Sequence, residues 1–181
     1  KTNIFKSLKI LDLGCGGGIA SEPLSRLGAD VLGVDESENL IDIAKYHSKK
    51  MKLDIDYKCM NIQDLKKTGK KFDAIIALEL LEHVNNLDYF CKQITTLLKS
   101  NGIIILSTIN RTMLSKFFVI EIAENIVKKI PKGTHHYEKF VSPDEISTIF
   151  KKFNFRIKNI SGMNWSPISN TWRLTNNTSI N

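Results

Sequence analysis

The chain alternates between two hydrophobic periods. Short runs rich in β-branched and aliphatic residues fall at Lys9–Leu13, 29–34, 55–60, Phe72–Leu78 and 102–108, each bounded by polar or glycine-containing stretches. Between them, apolar positions recur at helical spacing over 19–27, 38–51 and 87–98. Strand-length runs separated by helical stretches are the mark of a parallel sheet covered by helices. Gly28 and Gly102 fall where helices are expected to stop, and Ser37 is an N-cap candidate. Further on, Ser142, Pro143 and Glu145 predict a helix start with an N-cap, a proline at its first position and an acid at its third. Strands over 156–161 and 171–174 complete the set. The predicted class is α/β: a Rossmann-like, mostly parallel seven-stranded sheet with helices on both faces, one domain spanning 1–181.

One stretch breaks the alternation. The segment 110–140 is longer than a usual connection, which favours a functional role. Within it Val119, Ile120, Ile122, Ala123, Ile126, Val127 and Ile130 fall within an arc of roughly 160° on a helical projection. Glu121, Glu124, Asn125, Lys128 and Lys129 share the other side.

Composition narrows the class. At 181 residues the chain has room for one core, and its apolar runs are far shorter than a membrane span. Cys15, Cys59 and Cys91 are odd in number and form no C-x-x-C pair, which argues against both a disulfide framework and a zinc site. The net charge of +7 favours anionic partners, nucleic acid or an anionic membrane surface.

Candidate chemistry begins at "ILDLGCGGGIA". A hydrophobic strand runs into Gly14, Cys15, Gly16, Gly17 and Gly18, and a helix follows. Glycines there let a ligand approach the backbone without meeting a Cβ, and the helix start adds unpaired N–H donors. Ile19 occupies the position where a dinucleotide fingerprint needs glycine, so a dehydrogenase is disfavoured. Asp35 lies at the tip of the next strand, where a carboxylate accepts from both hydroxyls of a cofactor ribose. Its bland alternative is capping of the following helix. Asp12, inside the first strand, is a candidate acceptor for the cofactor's amino group or for loop N–H groups; equally, it only orders the loop. The fourth strand ends "LELLEHV". If the chain turns helical at Glu79, then Glu82 and His83 share its face, and two carboxylates with an imidazole suit a divalent cation, Mg²⁺ first. Acid–histidine pairs that only pack or touch substrate are the competing reading.

"LDLGCGGG" followed by Asp35 resembles the class I S-adenosylmethionine-dependent methyltransferases. That resemblance implies that Gly14 and Gly16 surround the methionine part of the cofactor, that Asp35 holds the ribose, and that Asn61 and Ile62 pass near the adenine. A wider set of blocks, "GCGGGIASEPLSRLGADVLGVD", "ALELLEHV", "LSTINRT", "PKGTHHYEKFVSP" and "SPISNT", resembles in order the bacterial and mitochondrial O-methyltransferases of ubiquinone biosynthesis. It implies Leu78 as a cofactor contact and Glu79, Glu82 and His83 as ligands of a divalent metal; the chemistry then expected at the catalytic residues Glu79 and His83 is metal-assisted transfer to a phenolic oxygen, with His83 either a ligand or the proton acceptor. It also implies a polyprenylated phenol or quinol as acceptor, and the amphipathic segment, with Lys116 and Lys132 at its flanks, as a lid on an anionic membrane. The expected setting is the inner membrane of a bacterium, approached from the cytoplasm, or the matrix side of the mitochondrial inner membrane, alongside other proteins of the pathway. Family members carry a helical segment before the first strand and a longer tail, so the chain is expected to be a piece of a longer protein. Two rivals stand beside this reading. A nucleic-acid methyltransferase would explain the charge, but the Asn/Asp-Pro-Pro-aromatic motif of amino-group methylation is absent, so no nucleic acid is expected. The other is a non-catalytic module binding cofactor or lipid.

Overall fold

The computed structural model describes residues 3–108, 110, 140–166 and 171–176. The predicted amphipathic stretch, its flanking lysines, and His135 and His136 lie outside the described residues. The chain falls into two compact units, one of residues 1–78 and 89–106, the other of 79–88 and 107–181.

The first unit is built on a five-stranded sheet, β1 (Lys9–Leu13), β2 (Asp30–Asp35), β3 (Asp56–Cys59), β4 (Phe72–Leu78) and β5 (Leu98–Ser107), in the order β3-β2-β1-β4-β5. The pairs β1–β2, β1–β4 and β2–β3 are parallel. Four consecutive residues are buried in each of β1, β2 and β4, so both faces of these strands are covered. That continuous burial explains why "LDL", "VLGV" and "AIIA" carry almost no polar alternation. Leu11, Val31, Val34 and Ile75 form the interior of the sheet. β5 differs: Ile103 and Ile105 are nearly half exposed along it. The connecting helices are α1 (Ser21–Arg26), α2 (Glu38–Lys50), α3 (Ile62–Lys67) and α4 (Leu87–Thr95).

The caps follow side-chain chemistry. Ser37 Oγ accepts from Leu40 N–H at 3.4 Å at the start of α2, as predicted. Asn61 Oδ1 accepts from Asp64 N–H at 2.8 Å at the start of α3. Gly28, at φ +97, follows the C-cap of α1. Three boundaries moved. α1 begins at Ser21 rather than at Ile19. α4 ends at Thr95, and β5 begins at Leu98, running through Asn101 (φ +63) and Gly102, where a helix end was expected.

The second unit contains a short 3₁₀ turn (Leu81–His83), helix α5 (Pro143–Lys151), and strands β6 (Gly162–Ser166) and β7 (Thr171–Thr175). α5 starts as predicted, with Ser142 Oγ accepting from Glu145 N–H at 3.2 Å and Pro143 in its first turn. Leu81, Phe140, Val141, Ile149 and Phe150 are buried in this unit, and Phe150 packs on Phe155 with ring centres 6.0 Å apart. The seven expected strands are distributed differently from the single sheet expected: β6 and β7 pair antiparallel in a sheet of their own. The predicted strand 156–161 lies outside regular structure, and the pairing begins at Gly162.

Candidate active site

In an open parallel sheet, a ligand binds beyond the carboxyl ends of the strands, where the strand order reverses. Here the reversal is at β1, flanked by β2 and β4. Parallel register brings the carboxyl ends to one edge: Leu13 pairs with Val34, and Asp35 pairs with Cys59. The residues that follow these ends are the glycine loop, Asp35 itself, Asn61 and Leu78.

The loop is held to β2 by backbone hydrogen bonds. Gly14 and Cys15 N–H both donate to Val34 carbonyl oxygen, at 2.8 and 3.0 Å. The turn requires φ +73 at Gly14 and +51 at Gly16, values that L side chains adopt at a cost. A Cβ at Gly16 would project into open space, so this glycine is needed for its backbone, and a ligand meets bare main chain there.

Asp35 is the loop's anchor as well as its acid. One carboxylate oxygen accepts from Gly16 N–H at 2.9 Å, the other from Ser37 N–H at 2.8 Å. The cap of α2 is Ser37, and Asp35 accepts from the backbone N–H of that cap residue. A carboxylate has about four lone-pair positions, which leaves capacity for ribose hydroxyls. Asn61 spends its Oδ1 on the α3 cap, leaving its amide NH₂ group for a ligand. Ile62 is half-buried beside it, and Leu78 is exposed at the tip of β4.

Asp12 lies within β1. It is buried, and Ser21 Oγ donates to its Oδ2 at 2.5 Å, tying β1 to the first turn of α1. Burial pushes its carboxyl up to about 6, against the restraining Ser21 hydrogen bonds and with a small upward push from Asp35. The Ser21 bond runs to α1 and not to a loop N–H, so it favours neither of the two sequence readings. Burial likewise pushes the Cys15 thiol up to about 12.

Sequence reasoning missed the support beneath the loop. Tyr57, on β3, fills the space left by two glycines: a Cβ at Gly18 would lie 2.2 Å from its hydroxyl, and one at Gly33 would lie 2.5 Å from its ring. The hydroxyl is buried without a hydrogen-bond partner among the described residues. Ser21 lies close enough to favour the phenolate slightly, but its hydroxyl is committed to Asp12 and the geometry of a second bond is not met. Burial dominates and pushes the phenol up to about 12. The available signal was the parallel register, which sets Gly33 beside Tyr57.

The acidic end of "LELLEHV" departs from the expected helical turn. Glu79 has φ +52, left-handed for a residue with a long side chain, which costs on the order of 1–3 kcal/mol. The 3₁₀ turn starts only at Leu81, so Glu79 stands outside it. Its N–H donates to Ser107 Oγ at 3.0 Å, and Ser107 O–H donates back to Glu79 Oε1 at 2.5 Å. Glu82 is buried and accepts from Thr108 Oγ1 at 2.5 Å, whereas Glu79 and His83 are exposed. The expected metal triad is therefore not assembled: among the described residues no three acids, histidines or cysteines meet as a cation site. The physical reason is the left-handed Glu79, which removes the i, i+3, i+4 relation on which the triad was predicted. The signal for Ser107 and Thr108 lay in "LSTINRT", where two consecutive hydroxyls close the strand that follows the acids and the residue after it.

A model of the methyltransferase domain matches residues 2–159. The ubiquinone biosynthesis O-methyltransferase of Pelagibacter ubique is 50% identical over 177 residues, covering 98% of this chain and 73% of that protein. The mitochondrial ubiquinone biosynthesis O-methyltransferase of Arabidopsis thaliana is 42% identical over 179 residues, 98% of this chain and 56% of the plant protein. Among solved structures, the magnesium protoporphyrin IX methyltransferase of Synechocystis PCC 6803 with bound SAH aligns with a TM-score of 0.65 at 24% identity, covering 89% of this chain and 69% of that one. That likeness is one of fold. The chain belongs to the ubiquinone biosynthesis O-methyltransferase family, as an S-adenosylmethionine-dependent O-methyltransferase of class I fold.

Proposed function

We propose that the acceptor is a phenolic hydroxyl on a polyprenylated ring, as in the precursors of ubiquinone, and that Glu79 and His83 serve the transfer. The carrying observation is the tip of β4: an exposed leucine, then an exposed acid held by Ser107, then an exposed histidine four residues on. S-adenosylmethionine, when bound, supplies an electrophilic methyl group on a sulfonium that needs no further activation. The chain's part is to hold the cofactor and prepare the oxygen. Gly14 and Gly16 offer bare backbone to the methionine portion, and Asp35 accepts from the ribose. Asn61, Ile62 and Leu78 line the adenine and the approach to the methyl group.

The oxygen needs help. A phenol with pKa of ~10 is ionised in roughly one molecule in a thousand at pH 7, a deficit of ~4 kcal/mol. General-base catalysis contributes typically 10²–10⁴-fold, a range that covers this deficit. In this reading His83 takes the phenolic proton as the oxygen–methyl bond forms and the methyl–sulfur bond breaks, the thioether being the leaving group, and Glu79 orients the ring through a hydroxyl. Fixing the two reactants in line supplies much of the remainder. No step is routed through a divalent cation, since no cluster of acids, histidines or cysteines forms a cation site among the described residues.

A polyprenyl acceptor resides in a bilayer, and the apolar arc of 119–130, with lysines at 116, 128, 129 and 132, suits an interfacial segment on anionic lipid. No helix among the described residues is long and apolar enough to cross a membrane. The proposed setting is therefore peripheral, on the inner face of a bacterial membrane or the matrix side of the mitochondrial one. The test is turnover of a short-chain prenyl dihydroxybenzene with methyl-labelled cofactor, with and without EDTA. Label in a methoxy product, insensitive to EDTA and lost in Glu79→Ala, supports the reading. An EDTA-abolished rate would restore the cation, and no labelled product would remove the acceptor.

A further inference from the structure

We infer that Ser107, the last residue of β5, and Thr108, which follows it, are positioning residues for methyl transfer, acting through the two acids of the "LELLEHV" segment. The inference rests on the proposed role of Glu79. A single hydroxyl, that of Ser107, accepts from the Glu79 N–H and donates to the Glu79 carboxylate. It thereby fixes both ends of one residue: the left-handed backbone and the side chain folded back along it. A hydroxyl has one proton to donate, so this pairing sets its rotor and leaves the Glu79 carboxylate with one fixed direction. Thr108 does the same for Glu82, whose buried carboxylate takes its O–H. Glu82 begins the 3₁₀ turn's acidic side, and His83 is the next residue. Thr108 thus holds the turn that carries His83, while Ser107 holds the acid that precedes it.

Two consecutive hydroxyls clasping two acids three residues apart are more than the turn needs for its backbone, which is already closed by His83 N–H to Leu80 and Val84 N–H to Leu81. The added bonds order side chains. Charge-assisted bonds of this kind are roughly twice as strong as neutral ones, which suits them to holding a group against thermal motion. Loss of that order lowers the fraction of productive encounters without weakening substrate binding.

The experiment is steady-state kinetics of the intact protein with the prenyl dihydroxybenzene acceptor, for wild type, Ser107→Ala, Ser107→Thr, Thr108→Val and Thr108→Ser, with thermal melts of each. The inference expects kcat to fall about tenfold or more in Ser107→Ala and Thr108→Val, with acceptor and cofactor KM within about twofold. It expects recovery in Ser107→Thr and Thr108→Ser, which keep the hydroxyl. Unchanged kcat in both hydroxyl-deleted variants overturns it. So does a loss that tracks a lowered melting temperature and is not recovered by the hydroxyl-bearing variants. Absence of turnover by the wild type overturns the acceptor reading, and this inference with it; an active wild type with unaffected variants overturns this inference alone.

Discussion

Gly33 and Tyr57 are register partners on adjacent parallel strands, and the tyrosine ring occupies the volume a Cβ on the glycine would need. The same ring reaches under the loop to Gly18. One aromatic side chain thus makes two of the sequence's glycines obligatory for packing, independently of any ligand. Gly33→Ala or Gly18→Ala should destabilise the protein by about 1–3 kcal/mol through overpacking, Gly18 with added backbone strain at φ +86. Tyr57→Phe should be neutral or stabilising by up to about 1–2 kcal/mol, because it removes a buried hydroxyl with no hydrogen-bond partner among the described residues. Urea unfolding of the three variants checks the order.

Asp12 makes stability depend on pH in an unusual direction. Its carboxyl titrates near 6 in the folded chain and near 3.8 when exposed, so the folded state holds the proton more tightly. Its contribution is fully present below about 3.8 and is lost as pH rises through about 6. The loss is on the order of 3 kcal/mol at neutral pH. Asp12→Asn retains an acceptor for Ser21 and should flatten this dependence, raising stability at pH 7. Melting temperatures from pH 4 to pH 7.5 decide it; parallel curves for the two proteins would contradict the assignment.

The three cysteines should separate by reactivity. Cys15 and Cys91 are buried, with the Cys15 thiol pushed up to about 12, whereas Cys59 is exposed at the end of β3. An aromatic disulfide reagent should label one thiol rapidly in the native protein and all three after denaturation. Cys59→Ser should abolish the fast phase.

Which parts of this were legible in the sequence follows from how local their causes are. Ser37 and Ser142 cap their helices as read, because an N-cap needs only a side-chain oxygen and an N–H three residues on. β1, β2 and β4 were readable from their continuous apolar runs, and the place of Asp35 at a strand tip from its distance to the loop. Glu79 was not, since its left-handed backbone is tied to a hydroxyl 28 residues away. Asp12 was half-readable: its position was clear, but its partner Ser21 depended on where α1 starts. The strand expected over 156–161 failed for a similar reason, because pairing with β7 decides the register and begins at Gly162.

The central claim is that S-adenosylmethionine docks on the Gly14–Gly16 backbone and Asp35. Titration calorimetry with S-adenosylhomocysteine on wild type and Asp35→Ala tests it most directly. The account predicts one-to-one binding by the wild type and at least about tenfold weaker binding by the variant. No binding heat from the wild type, or equal affinity in the two, would contradict it.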